Sequence, residues 1–251
     1  MGLRYSESLK LSFDFCDVKA DVKLPLFLLA HCLTVSARQS AEIGRGNEVL
    51  LQQYGLIWVV TDYDVTIDRM PRFGETVTIE TQAISYNKLF CYRQFHIYDQ
   101  AGHAIMTILS HFALLNPKTR KVAMIPDDLV APYQADFVKK IKRPIKIDEL
   151  QDPMVQAYQV RYFDIDMNGH ANNSKYLDWM YDVLGHEFLL HHRPCHLTLT
   201  YIKEVKPSTQ ITSGYHLEQL TSYHEIRSLG QLNAQAVIKW QPITTKESET
   251  N

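Results

Sequence analysis

The chain has 251 residues, 45% hydrophobic and 22% charged, the balance of a globular protein with enough apolar material for a sizeable core. A formal net charge of -2 excludes a global field that would recruit nucleic acid or an anionic membrane. Four scattered cysteines with no C-x-x-C pair argue against a disulfide framework or zinc cluster, and no apolar run suits a membrane span or export signal, so a cytoplasmic protein is expected.

Leu9, Leu11 and Phe13 read as the start of a strand. Pro25 suits a first helical turn, and Leu26, Leu29, Ala30, Leu33 and Ala37 recur at helical spacing until Gly44 and Gly46, which predicts one buried helix. After Gly55, Ile57, Val59, Thr61, Tyr63, Val65 and Ile67 alternate with Asp62 and Asp64, the period of a half-buried strand. Val77, Ile79 and Ala83 continue the pattern. A turn at Asp99-Gln100-Ala101-Gly102 then leads into the long apolar run from Ile105 to Leu115. Pro117, Pro126, Pro132 and Pro144 mark the stretch that follows as a connection wrapping the surface. Within it Lys139, Lys140, Lys142 and Arg143 form a basic cluster, read either as a solvated face or as a landing site for an acidic partner.

Beyond the connection the same grammar returns. Asn172 or Asn173 can cap a helix whose Tyr176, Leu177, Met180, Val183, Leu184 and Phe188 share a stripe, and strands follow at Leu197–Tyr201 and Ala234–Trp240. Sliding one half on the other by 149 positions sets Asp17 on Asp166 and brings the two helices together. The expected architecture is α+β: a first repeat over 1–130, a linker over 131–153 and a second repeat over 154–251.

Asp166, Asn168 and His170 stand at alternate positions, so in extended backbone an acid, an amide and an imidazole would share one face. The helix N-terminus just after them, at Asn172 and Asn173, offers unpaired N–H groups to a developing oxyanion. At the 149 offset Asn168 falls opposite Lys19 and His170 opposite Asp21, so only the second repeat carries this set. A calcium loop is the first rival, since Asp164, Asp166, Asn168 and Gly169 open like an EF-hand. It lacks the closing glutamate, because Lys175 stands there. No H-E-x-x-H or G-x-S-x-G motif is present, so neither a metal site nor a serine nucleophile is expected. The plainer alternative is a polar turn tying strand to helix through Asx-type bonds.

Asp166-x-Asn168-x-His170-x-Asn172-Asn173-x-Lys175-Tyr176, followed by Tyr201-Ile202-Lys203-Glu204, resembles the acyl-acyl-carrier-protein thioesterase family of plants and bacteria. So do Ile57-Trp58-Val59-Val60, Arg69-Met70-Pro71-Arg72-Phe73-Gly74-Glu75, and Asn116-Pro117-Lys118-Thr119-Arg120 with Ile125-Pro126, so that the likeness runs along nearly the whole chain. The resemblance implies two tandem hot-dog repeats, each a sheet wrapped around a long helix, and hydrolysis of the thioester between a fatty acyl chain and carrier-protein phosphopantetheine. It implies Asp166, Asn168, His170 and Glu204 as the catalytic positions, with the first repeat supplying much of the acyl pocket. No cofactor or metal is implied. Val205 stands where plant members carry a cysteine, which disfavours a thiolate mechanism. A bacterial protein acting on acyl carrier protein, with no membrane or nucleic-acid partner and paired as a homodimer, is the resulting expectation. Hydrolysis of acyl-CoA, hydration of a 2-enoyl thioester and non-catalytic acyl binding are the competing readings.

Overall fold

The computed structural model describes residues 2–140, 146–166 and 169–243. The alternating segments of the first half form β1 (Arg4–Lys10), β2 (Ile57–Ile67), β3 (Thr76–Tyr86), β4 (Phe90–Tyr98) and β5 (Ala104–Leu115). Two short strands, β6 (Val122–Ala123) and β7 (Asp136–Phe137), follow. The second half supplies β8 (Met154–Gln159), β9 (His192–Tyr201), β10 (Gln210–Glu218), β11 (Thr221–Ser228) and β12 (Gln231–Pro242).

These strands make one continuous sheet in the order β1-β3-β4-β5-β2-β9-β12-β11-β10-β8, with β6 on β5 and β7 on β3. The halves meet where β2 and β9 pair antiparallel, from Asp62 opposite Thr200 to Thr66 opposite His196. Reading outward from that seam, each half repeats the same succession, so the sheet has a pseudo-two-fold axis between β2 and β9.

The duplication holds at the level of single hydrogen bonds. Asp17 N–H donates to Asp21 O at 2.8 Å and Asp166 N–H to His170 O at 2.9 Å. Lys23 N–H bonds Phe15 O and Asn172 N–H bonds Asp164 O, both at 2.7 Å. Every pair is related by the 149-residue offset read from the sequence.

Each half wraps its sheet around a helix. In the first, α1 covers residues 24–42, with α-helical ends at Leu24–Leu26 and Thr34–Glu42 around a wider π-helical stretch, Phe27–Leu33. Leu24, Phe27, Leu28, Cys32 and Val35 are buried against the strands. Each large apolar side chain so buried contributes about 1.5–3 kcal/mol. A second helix, α2 (Asn47–Tyr54), follows Gly46 and stops at Gly55, whose φ of 63° is left-handed. The sequence pattern gave no sign of α2, because its apolar residues are few and it lies between two glycines.

In the second half, α3 (Asn173–Asp182) buries Tyr176, Leu177, Trp179 and Met180. The single stripe expected through Phe188 is broken: Gly185, at φ 84°, ends the turn and α4 (His186–His191) starts in a new direction. One apolar core runs through both halves, joining Phe27, Tyr63 and Val65 to Leu197, Leu199 and Met180. Among the described residues no helix is long and apolar enough to cross a membrane.

Candidate active site

The segment before α3 is a tight turn rather than the extended strand that alternate spacing suggested. Gly169 N–H donates to Asp166 O at 3.0 Å, and Ile165 bridges Ala171 across the loop. Gly169 has a φ of 80°, the left-handed backbone that glycine adopts at no steric cost. The Asp166 Oδ1 accepts the His170 N–H at 3.3 Å, so the acid stabilises the turn that presents the imidazole. Asn168 lies outside the described residues.

Asn172 caps α3: its Oδ1 accepts the Ser174 N–H and hydroxyl, each at 3.0 Å. The Asn172 N–H is taken by Asp164. Asn173 is the first residue of α3 and lines the cavity. Backbone N–H groups at a helix start suit incoming negative charge.

Glu204 follows the end of β9. Its Oε2 stands 3.4 Å from His170 Nε2, and its Oε1 pairs with the Arg120 guanidinium from the first half. His170 Nδ1 is buried with no hydrogen-bond partner among the described residues. Tyr176 of α3 lies between the carboxylates and the core, with its hydroxyl oxygen accepting the Val205 N–H at 2.8 Å. Burial pushes the Tyr176 phenol up to about 12, with Glu204 and Asp166 adding to the rise and the Val205 N–H opposing it. Tyr176 therefore stays protonated and neutral beside the two acids. Tyr201, donating to Asn173 O at 3.0 Å, fixes the start of α3 to the end of β9.

A cavity of about 850 Å³ opens at these residues. Asp166, His170, Asn173 and Glu204 line one end of it, and its walls run into the first half along Leu33, Trp58, Val60 and Phe112. The far wall is more polar. Arg93 is buried there, donating to Gln39 Oε1 at 2.6 Å and Thr81 Oγ1 at 2.9 Å, with its guanidinium 5.4 Å from the centre of the Tyr133 ring. Burial lowers the Arg93 pKa.

The structure thus brings Asp166, His170, Asn172, Asn173 and Glu204 together at one cavity. Lys139 and Lys140 are exposed residues that do not line it, and Lys142 and Arg143 lie outside the described residues. The cations that do line the cavity near Glu204 are Arg120, Lys203 and Lys206. Sequence reading gave none of them a role. The only signal for Arg120 is the Asn116-to-Arg120 turn, whose target is 84 residues away.

A helix-wrapped sheet repeated in tandem, with acid, imidazole and helix N-terminus at one cavity, is a double hot-dog architecture. Residues 2–133 match the N-terminal and residues 147–242 the C-terminal domain model of acyl-ACP thioesterases, so the chain belongs to that family. It is 29% identical over 193 residues to a chloroplastic acyl-[acyl-carrier-protein] hydrolase of Cuphea viscosissima, covering 74% of this chain and 46% of that one. It is 31% identical over 170 residues to a chloroplastic palmitoyl-acyl carrier protein thioesterase of Cuphea hookeriana, covering 64% and 41%. The chain thus spans less than half the length of these curated relatives.

Among solved structures, one from Lactobacillus plantarum, described as a proposed oleoyl thioesterase, is 34% identical with a TM-score of 0.89 and covers 97% of this chain and 98% of its own. The 12:0-ACP thioesterase of Umbellularia californica shares the fold at 21% identity, with a TM-score of 0.84 and coverage of 97% and 99%.

Proposed function

We propose that the protein hydrolyses the thioester of fatty acyl chains carried on acyl carrier protein, releasing the free acid and ending chain elongation. The observation that carries this reading is one cavity that joins Asp166, His170 and Glu204 to largely apolar walls in the first half. The first half then supplies the acyl pocket and the second half the chemistry.

In this reading the acyl chain lies along Leu33, Val60 and Phe112, and its carbonyl stops beside the start of α3. Glu204 and His170 deprotonate a water that attacks the carbonyl carbon, or Asp166 attacks it directly. The carbonyl oxygen gains negative charge as the tetrahedral intermediate forms, and the Asn173 N–H with the positive end of the α3 dipole stabilises it. On the water route, collapse breaks the carbon–sulfur bond and the pantetheine thiolate leaves with the proton that His170 has taken; on the Asp166 route the thiolate leaves first, and a water that gives its proton to His170 then hydrolyses the mixed anhydride to free acid and Asp166 carboxylate. Asn168 would hold the neighbouring carboxylate or water.

Two features support a bacterial cytoplasmic setting: four cysteines, all free, and an end-to-end likeness to a Lactobacillus plantarum chain. A homodimer is proposed with it, to be checked by light scattering.

The test is free-thiol release from carrier proteins loaded with medium and long acyl chains, and from the corresponding acyl-CoAs. Release that favours the carrier and falls about 10²- to 10⁴-fold in Glu204→Ala and Asp166→Ala supports the assignment. Faster release from acyl-CoA would change the handle but keep the chemistry. Retained acyl binding without release would make the protein a binding module.

A further inference from the structure

Glu204 is held from two sides, and its two oxygens are divided between them. The Oε2 faces His170 Nε2 at 3.4 Å, while the Oε1 is paired with Arg120 Nη2. His170 and Glu204 belong to the second half. Arg120 belongs to the first, and it reaches the site only because of a turn built for the purpose.

That turn joins the end of β5 at Leu115 to the start of β6 at Val122. Asn116 organises it: the side-chain Oδ1 accepts the N–H groups of Lys118 at 3.0 Å and Thr119 at 2.9 Å, and the Asn116 carbonyl accepts the Arg120 N–H at 2.8 Å. The Asn116 N–H closes the loop on Lys121 O at 3.0 Å. Arg120 is thereby held at a φ of 57°, a left-handed conformation that strains a residue with a Cβ. The strained residue is the one whose side chain crosses to the other half.

We propose that Arg120 is a positioning residue for the reaction. It holds the Glu204 side chain, 43% exposed and otherwise free to turn toward water, so that one carboxylate oxygen remains on His170. This rests on the reading of Glu204 as part of the base. A guanidinium suits the task, because its planar fork fixes a carboxylate by direction as well as by charge. The chemistry of the second half is then complete only with a residue from the first.

The test uses the full chain and follows thiol release from acyl carrier protein across substrate concentrations, with Tm recorded for every variant. Arg120→Gln is expected to lower kcat roughly 10- to 100-fold, the scale of a misplaced catalytic group, with KM unchanged. Arg120→Lys, which keeps the charge without the fork, recovers part of the loss and replaces Arg120→Gln if that variant fails to fold. In a Glu204→Gln background, adding Arg120→Gln should change kcat by less than about two-fold, because two residues that act as a unit are not additive.

A raised KM with kcat intact would overturn the inference and make Arg120 a substrate-binding residue. So would a loss that simply adds to that of Glu204→Gln. A slow Glu204→Gln beside a normal Arg120→Gln sinks this inference alone, whereas normal turnover in Glu204→Gln removes the base and the inference together.

Discussion

The two turns related by the pseudo-two-fold axis share a backbone and differ in purpose. In the first, Ala20 N–H donates to Asp17 O at 3.0 Å, as Gly169 N–H does to Asp166 O, and Ala20 is driven to a φ of 61° where its counterpart is glycine. Each turn feeds the N-terminus of a buried helix. Where the second turn presents His170 to an open cavity, the first presents Asp21, 3% exposed, to Arg193 of β9 at 2.5 Å, with Arg72 nearby at 3.7 Å. Lys19, in the place of Asn168, donates to Leu189 O at 2.7 Å and His192 O at 3.1 Å.

The first turn has therefore become a clasp between the halves. A cavity of about 1100 Å³ runs beside it, lined by Lys19, Asp21 and Arg193, yet among the described residues its histidines, His186 and His192, form no ion pair with a carboxylate as His170 does with Glu204. Volume alone does not mark a reactive site. The difference lies in which side chains the duplicated backbone carries.

The largest effect expected from breaking this comparison is on turnover. Asp166→Ala should lower thiol release about 10²- to 10⁴-fold, and Asp17→Ala should leave it within a few-fold, measured on the same loaded carriers. Equal losses would mean that both turns take part in the chemistry.

The clasp should register next, in stability. Asp21→Ala removes the buried carboxylate that meets Arg193 Nε and should destabilise the fold by about 3 kcal/mol, seen as a lowered Tm and denaturant midpoint with turnover retained in the folded fraction. An unchanged Tm would show that the Asp21 carboxylate adds nothing to the clasp.

A third contrast, between two equivalent strands, is one of pH. The first half buries Phe95 and Ile97 on β4, whereas the second buries His224 on β11, and burial pulls that imidazole down to about 3. A histidine whose folded pKa lies below its unfolded value of 6.5 supports the fold above the unfolded pKa. That support is lost as the pH falls from about 6.5 towards 3, as protonation favours the unfolded chain. Thermal unfolding should show Tm falling through this window, and His224→Phe should flatten the slope.

The smallest effect concerns the helix starts. Asn172→Ala removes the side-chain cap of α3 and should cost about 1 kcal/mol in denaturant unfolding. Lys23→Ala, at the equivalent start of α1, removes no cap and should cost nothing measurable.

Local pattern carried a good part of this structure. Alternation from Ile57 to Ile67 became β2 with its bounds intact, and the 149-residue offset proved true bond by bond. Asn172, read as a cap from its residue type, is one. What pattern could not carry is pairing at a distance. A strand's period is the same whichever neighbour it takes, so nothing in β2 or β9 announced that they would join the halves. The ion pair of Arg120 with Glu204 was hidden for the same reason. Spacing misled at Asp166 to His170, where alternation suggested a strand but Gly169 allows a turn that places Asp166 beneath the His170 amide.

The seam between β2 and β9 has a consequence for dissecting the molecule. Cutting the chain between its repeats would bare two long inner strands, each a row of unpaired amides and carbonyls flanked by apolar side chains such as Leu197 and Val65. Such edges are templates for self-pairing. Expressed alone, either half should stick to copies of itself and form aggregates, whereas co-expressed halves should rescue each other by re-forming the central ladder.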